Sequence, residues 1–261
     1  DLREEGFTNE TISDRIDARI DSYLYNDYKM SIDSFEKLIE LYGSEIEHEL
    51  VPDQRFNQKQ LPPIEKSIDL AELFGIILGD GHVQFRSEKN KDRNTSTYFI
   101  SITLNEKEKE LIKHSKDLSQ SITSLEPKEY TKSGRCVRIV LHSKDLVTRF
   151  VELGLKAGNK KENQVHVPEW IKEEKKFCRA CVRGLIDTDG AIYQDQRGDK
   201  SYTRVQFKNY SEPLLEDFKQ MCEKLDIKTV KGGPHQIQIS RHDIEKFIKT
   251  IQPTKANSVT T

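Results

Sequence analysis

Two short segments of this chain combine small residues and carboxylates in the same order. They are Leu73-Phe74-Gly75-Ile76-Ile77-Leu78-Gly79-Asp80-Gly81 and Val182-Arg183-Gly184-Leu185-Ile186-Asp187-Thr188-Asp189-Gly190. Each reads as the end of a helix closed by an Asp-Gly stop. Gly75 and Gly79 lie one helical turn apart, and Gly184 and Thr188 repeat the spacing. Small residues at i and i+4 let two helices approach until their backbones nearly touch. If these faces meet, Asp80 and Asp189 converge at carbonyl ends where the helix dipole is already negative, and the two carboxylates repel. A hard cation relieves that repulsion, and Mg2+ suits both the oxygen ligands and a phosphate substrate. Asp187 shares its motif position with Leu78, so it reads as a structural or capping residue rather than a ligand needed in both copies. Cys178 and Cys181 form a C-x-x-C without a second pair or a matching His pair, and read as small buried helix residues.

The elements that must position these carboxylates occur twice in the same order. Ser67 caps an apolar helix over 70–78; strands follow at 83–85 and 98–104, then a helix over 106–122, strands near 129 and 137–141, and a helix over 143–153. The second round runs from a helix over 168–189 through strands at 191–193 and 204–208, a helix capped by Ser211, a strand at 236–240 and a helix over 242–251. Each round reads αββαββα, an internal repeat. Three segments are expected: a helical module over 1–60, with helices around Ile12, Ile16 and Ile20 and after Ser31, stopped by Gly43; a first repeat over 67–165; and a second over 166–261. The module is compatible with a helix-turn-helix, but its balance of −8 opposes phosphate contact.

The two nonapeptides resemble the LAGLIDADG motif, and residues 67–261 are similar to single-chain, two-motif LAGLIDADG homing endonucleases. The resemblance implies an α+β fold of two pseudo-symmetric αββαββα repeats, whose sheets form a DNA-binding saddle. It implies Asp80 and Asp189 as catalytic metal ligands, with Gly79 and Thr188 beside them in the metal set. Asn105 and Asn209, each after the second strand of its round, match the polar residue near the attacking water. Lys161, preferred over Lys160, and Lys255 match the basic residue that approaches the scissile phosphate. The implied activity is site-specific hydrolysis of both DNA strands by a monomer. Mg2+ is the expected cofactor, with Mn2+ able to substitute and Ca2+ binding without turnover.

Charge distribution tests this expectation. The windows 81–104, 125–142, 191–208 and 226–241 hold 15 basic and 7 acidic residues, although the whole chain carries −2. Arg86, Lys89, Arg93, Arg135, Arg138, Arg197, Lys200, Arg204, Gln206, Lys208, Gln236 and Gln238 are the candidate DNA-binding residues, because Arg, Lys and Gln contact phosphates and read guanine and adenine edges. The polar segment 86–97 reads as a hairpin loop that contacts DNA or is simply flexible.

Hydrophobic residues make up 34% and charged residues 33%, yet the apolar periodicity argues against wholesale disorder. No apolar run nears the roughly 20 residues of a membrane span, and no apolar leader opens the sequence, so an intracellular protein is expected, in cytoplasm, nucleoid or organelle matrix. No Cys or Ser begins the sequence and no His-Asn pair ends it, so an intein is the less expected reading. Two other functions compete with the endonuclease: a DNA-binding regulator that keeps the scaffold without cleavage, and a maturase-type RNA splicing factor. Paired carboxylates beside phosphates favour the nuclease, and the extra helical module favours the regulator.

Overall fold

The computed structural model describes residues 8–16, 32–43, 61–90, 93–132, 135–197 and 200–258. The chain divides into two units at Asn57/Gln58. In the first, α1 (Asn9–Ile16) and α2 (Ile32–Tyr42) pack against each other. The backbone N–H of Thr11 donates to the Thr8 hydroxyl at the start of α1, which buries Ile12 and Ile16. Gly43 ends α2 at φ +75, a conformation that glycine adopts without a Cβ clash. Ile20 and Ser31 lie outside the described residues.

The second unit holds both repeats. In the first, α3 (Ile68–Asp80) leads into β1 (Gly81–Asn90), β2 (Arg93–Asn105), α4 (Lys109–Thr123), β3 (Lys128–Lys132), β4 (Cys136–His142) and α5 (Lys144–Glu152). The short helices α6 (Lys160–Asn163) and α7 (Glu169–Glu173) connect to the second repeat. There α8 (Lys175–Asp189) leads into β5 (Gly190–Arg197), β6 (Lys200–Lys208), α9 (Glu212–Lys224), β7 (Thr229–Lys231), β8 (Gln236–Ile239) and α10 (Ile244–Ile251). Each repeat makes one antiparallel sheet, ordered β1-β2-β4-β3 and β5-β6-β8-β7. This is the α+β arrangement with two matching sheets that the repeat implied.

Ser67 accepts the Leu70 N–H and starts α3, whose residues from Leu70 to Leu78 are all buried. One core runs through both repeats, with Phe74, Phe150, Phe207, Phe218 and Phe247 fully buried. Each such side chain contributes about 1.5–3 kcal/mol. The helices α3 and α8 cross at its centre. A Cβ on Gly75 would collide with the Cys181 carbonyl, and one on Gly184 would collide with the Glu72 carbonyl and lie 2.7 Å from the Ile76 nitrogen. The glycines are therefore where the two backbones touch.

Three readings change. Residues 86–97 are not a loop: both strands continue outward until Asn90 faces Arg93, with 91–92 outside the described residues. A ribbon that projects past the core has no apolar face to alternate against, so it lacks a strand signature. The helix expected over 168–189 breaks at Glu174, which is extended at φ −121, ψ 137. The break lets the Trp170 indole donate to the Leu153 carbonyl at 3.0 Å while α8 keeps its face on α3. The helix after β2 starts at Lys109 rather than 106, because residues 105–108 form a turn of their own. There Asn105 Oδ1 accepts the Lys107 N–H at 3.0 Å and Glu108 Oε2 accepts the Asn105 N–H at 3.1 Å.

Candidate active site and nucleic-acid interface

The glycine contact fixes what happens one turn later. Gly79 lies against Thr188, and a Cβ there would overlap the threonine side chain. Thr188 in turn spends its hydroxyl on the Gly184 carbonyl at 2.7 Å. The helix ends thus lie side by side, and the two half-buried carboxylates that follow feel each other. Burial, then repulsion from Asp189, pushes Asp80 up to about 6, against the opposing pull of Lys160 and Lys255. Burial also raises Asp189 above its ordinary value, opposed by Lys160, Asn209 and Lys255.

Two lysines complete the cluster, and one is not the residue the sequence favoured. Lys160 Nζ donates to the Leu78 carbonyl at 3.0 Å and also to the Gly79 carbonyl. Burial lowers its pKa to about 8, with Asp189 and Asp80 opposing. Lys161 is exposed and sits over the Tyr210 ring at 5.3 Å. Asn159 caps α6 through the Lys161 N–H, and adjacent residues on a helix point about 100° apart, so only one of the two lysines can face the carboxylates. Lys255 donates to the Thr188 carbonyl at 2.6 Å and the Gly190 carbonyl at 3.0 Å. Its segment is held by Asp187, which is almost fully buried and accepts the Lys255 N–H at 3.1 Å. Asp187 is thus the structural residue its mismatch with Leu78 suggested.

The asparagines part company. Asn209 Nδ2 donates to Asp189 Oδ2 at 2.7 Å. Asn105 is exposed and engaged in its own turn. The strand register explains the correction. Gly81 pairs with Ile102 and Gly190 with Phe207, so Asn209 lies two residues past its reference and Asn105 three. In a pleated strand that odd step reverses the face. The residue in register with Asn209 is Leu104, which is buried. Glu108 stands near Asp80 instead and pairs with Lys255 at 3.9 Å.

Two further contacts had no sequence signal. Buried Glu72 accepts from His114 Nε2 at 2.6 Å and lies 3.5 Å from Arg183 Nε, joining α3, α4 and α8. A cleft of about 700 Å³ opens beside Lys255, lined by Glu108, Lys109, Gly190 and Ile192 among others.

The oxygen donors fit a hard divalent cation. The two carboxylates repel each other, and the two lysines that act on both of them donate to the main-chain oxygens of Gly79 and Thr188, so these oxygens border the same charged cluster. Among the described residues, no group of three or more His, Cys, Asp or Glu forms a closed metal site. Water and phosphate oxygens would therefore have to complete the shell.

The sheets present polar faces away from the core. Pairing of Gln206 with Gln238 and of Lys208 with Gln236 puts these four on one face, opposite buried Val205 and Phe207, with Arg204 on the same side. Gln236 donates to Gln206, and Arg204 Nε reaches Asp195 at 3.2 Å. On the other sheet Arg138 faces outward, 3.1 Å from the Ser101 hydroxyl and over the Phe99 ring. Arg135 is exposed in the turn before β4. Exposed Tyr130, Tyr193 and Val230 share these faces. For Arg86, Lys89, Arg93, Arg197 and Lys200 the backbone lies in the ribbon ends; their side chains lie outside the described residues.

Residues 176–252 match the family model described as a LAGLIDADG-like domain. A replication factor C small subunit of Methanocaldococcus jannaschii is 29% identical over 212 residues, covering 74% of this chain and 10% of that protein. A DNA polymerase of the same organism is 27% identical over 150 residues, covering 52% and 8%. The chain thus spans about a tenth of the length of the curated relatives it matches. Among solved structures, I-DmoI in complex with DNA and Ca is similar over 73% of this chain and 95% of that one, with a TM-score of 0.54 and 22% identity. The homing endonuclease I-WcaI bound to its DNA recognition sequence is similar over 78% and 89%, with a TM-score of 0.52 and 14% identity. The last two establish a shared fold.

Proposed function

From the LAGLIDADG-like match over residues 176–252 and the fold shared with solved homing endonucleases, we propose that this chain is a LAGLIDADG protein and a site-specific, divalent-metal-dependent DNA endonuclease. The observation that carries the reading is the convergence of Asp80 and Asp189 at the glycine-paired ends of α3 and α8, where Lys160 and Lys255 donate to the helix-end carbonyls and act on both carboxylates. A scaffold without chemistry has no use for two repelling carboxylates beside a phosphate-binding face. The outward Arg, Lys and Gln side chains of both sheets support double-stranded DNA as the partner, and similar structures are complexes with DNA and Ca or Mn.

Asp80, Asp189 and the carbonyls of Gly79 and Thr188 would hold the cation, with Mg2+ the expected one and Mn2+ able to replace it. A bound divalent cation supplies Lewis acidity and a nucleophile at neutral pH. Lys160 and Lys255 offset charge on the reacting phosphate. Asn209 fixes the orientation of Asp189. The matched segment recurs within two long proteins of different names, which supports a module that moves between genes rather than either relative's own activity. An intracellular monomer with an internal pseudo-two-fold is proposed with it.

The test is cleavage of a randomised or genomic DNA library in Mg2+ by the wild type, Asp80→Asn and Asp189→Asn. Defined double-strand breaks from the wild type alone are expected. Tight binding of a defined site with both strands intact in Mg2+ and Mn2+ would replace the endonuclease with a DNA-binding regulator.

A further inference from the structure

The last carbonyls of a helix lack intrahelical partners and carry the negative end of its dipole. In α3 and α8 those carbonyls are capped by ammonium groups from remote parts of the chain. Lys160 comes from 82 residues beyond Leu78, and Lys255 from 67 residues beyond Thr188. Each ammonium donates to two main-chain oxygens, Leu78 and Gly79 for one, Thr188 and Gly190 for the other. Supporting contacts hold both lysines there: Asn159 caps the turn that carries Lys160, and Asp187 grips the backbone of Lys255. Without positive charge, the helix ends would bring four electron-rich oxygen groups together and hold them by packing alone.

We propose that Lys160 and Lys255 are the resident cations of the DNA-free protein, seated on oxygens that a divalent cation takes, and that they pass to the DNA phosphates when that cation binds. This exchange presupposes the endonuclease reading above. An ammonium donating to the Gly79 or Thr188 oxygen and a divalent ion bonded to the same oxygen, at about 2.1 Å for Mg2+ or about 2.3–2.6 Å for Ca2+, repel each other at close range. Ion and lysine therefore compete. A displaced Lys255 remains tethered beside the cleft, and Lys160 beside the carboxylates, each a long flexible point charge suited to a phosphate. A single contact then serves both states: it holds the helix ends in the free protein, and it delivers the charge that the reaction needs.

The test is calorimetric titration of the full DNA-free chain with Ca2+, comparing wild type, Lys160→Met and Lys255→Met, alongside thermal melting with and without Ca2+. Each Met variant should bind Ca2+ about tenfold tighter or more, since a competing charge has gone. Each should also melt lower than wild type in chelator and recover the difference in Ca2+. Equal or weaker Ca2+ binding by both Met variants, while the wild type still cleaves DNA in Mg2+, overturns the inference and leaves the endonuclease reading standing. Absence of Ca2+ binding together with absence of cleavage overturns both. If the Met variants fail to fold, lysine-selective 15N NMR of the wild type decides. An exchange-protected Lys160 ammonium signal in the free protein should vanish at saturating Ca2+, and its persistence overturns the inference.

Discussion

Lys160 and Lys255 stand near both carboxylates, but Asp189 also receives an amide from Asn209 of its own repeat, whereas Asp80 faces, from the turn before α4, the carboxylate of Glu108. The backbone contacts behind them remain symmetric. Gly75 meets Cys181 and Gly184 meets Glu72, each three residues before the partner's own glycine. Side chains at those same positions differ, because Glu72 enters a charged network with His114 and Arg183 that Cys181 cannot make. A duplicated scaffold is thus held to symmetry where backbones touch, and is free to diverge where side chains meet solvent or substrate. The proposed consequence is two inequivalent cleavage centres.

The largest expected effect breaks each centre separately. Asp80→Asn and Asp189→Asn keep size but remove the anchoring charge. Each should slow cleavage of its own strand by roughly 10²-fold or more while DNA binding survives. Strand-labelled duplexes read this directly, and equal loss on both strands in both variants would show that the centres do not act independently. Next in size, Gly75→Leu and Gly184→Leu should each lower stability by about 1–3 kcal/mol or more, because the obstructing atoms are backbone. Urea unfolding measures this, and a cost at only one of the two would end the claim of a symmetric contact.

Smaller effects sharpen the contrast. Asn209→Ala should slow cleavage about 10–100-fold, the usual range for a residue that orients a ligand. Asn105→Ala should leave cleavage nearly unchanged, and a comparable loss there would restore the symmetric pair. The smallest effect depends on pH. The hydrogen bond from His114 to Glu72 holds the imidazole pKa above its ordinary 6.5. Its contribution to stability is therefore complete below that pH and fades as pH rises through the raised folded value. His114→Gln should cost more stability at pH 5.5 than at pH 9, by under about 1 kcal/mol given partial solvent screening. A deficit that grows with pH would contradict this assignment.

The sequence by itself determined the repeat, the helix pair and the carboxylates. Those features follow from local rules: apolar periodicity marks an element, small residues one turn apart mark a close contact, and Asp-Gly marks a stop. Tertiary structure alone decided which neighbour reaches the carboxylates. Lys160 and Lys161 are indistinguishable in the sequence, and a rotation of one residue about α6 separates them. Asn105 and Asn209 both stand at the end of the second strand of their repeat, but a one-residue difference in register sends them to opposite faces. Glu108, His114 and Arg183 became visible only when chain segments far apart in sequence met. The projecting ribbon over 86–97 stayed hidden because its pairing is made by backbone hydrogen bonds, which leave no side-chain pattern to read. Patterns along the chain report what each element buries; direction across an interface is fixed only when both partners are in place.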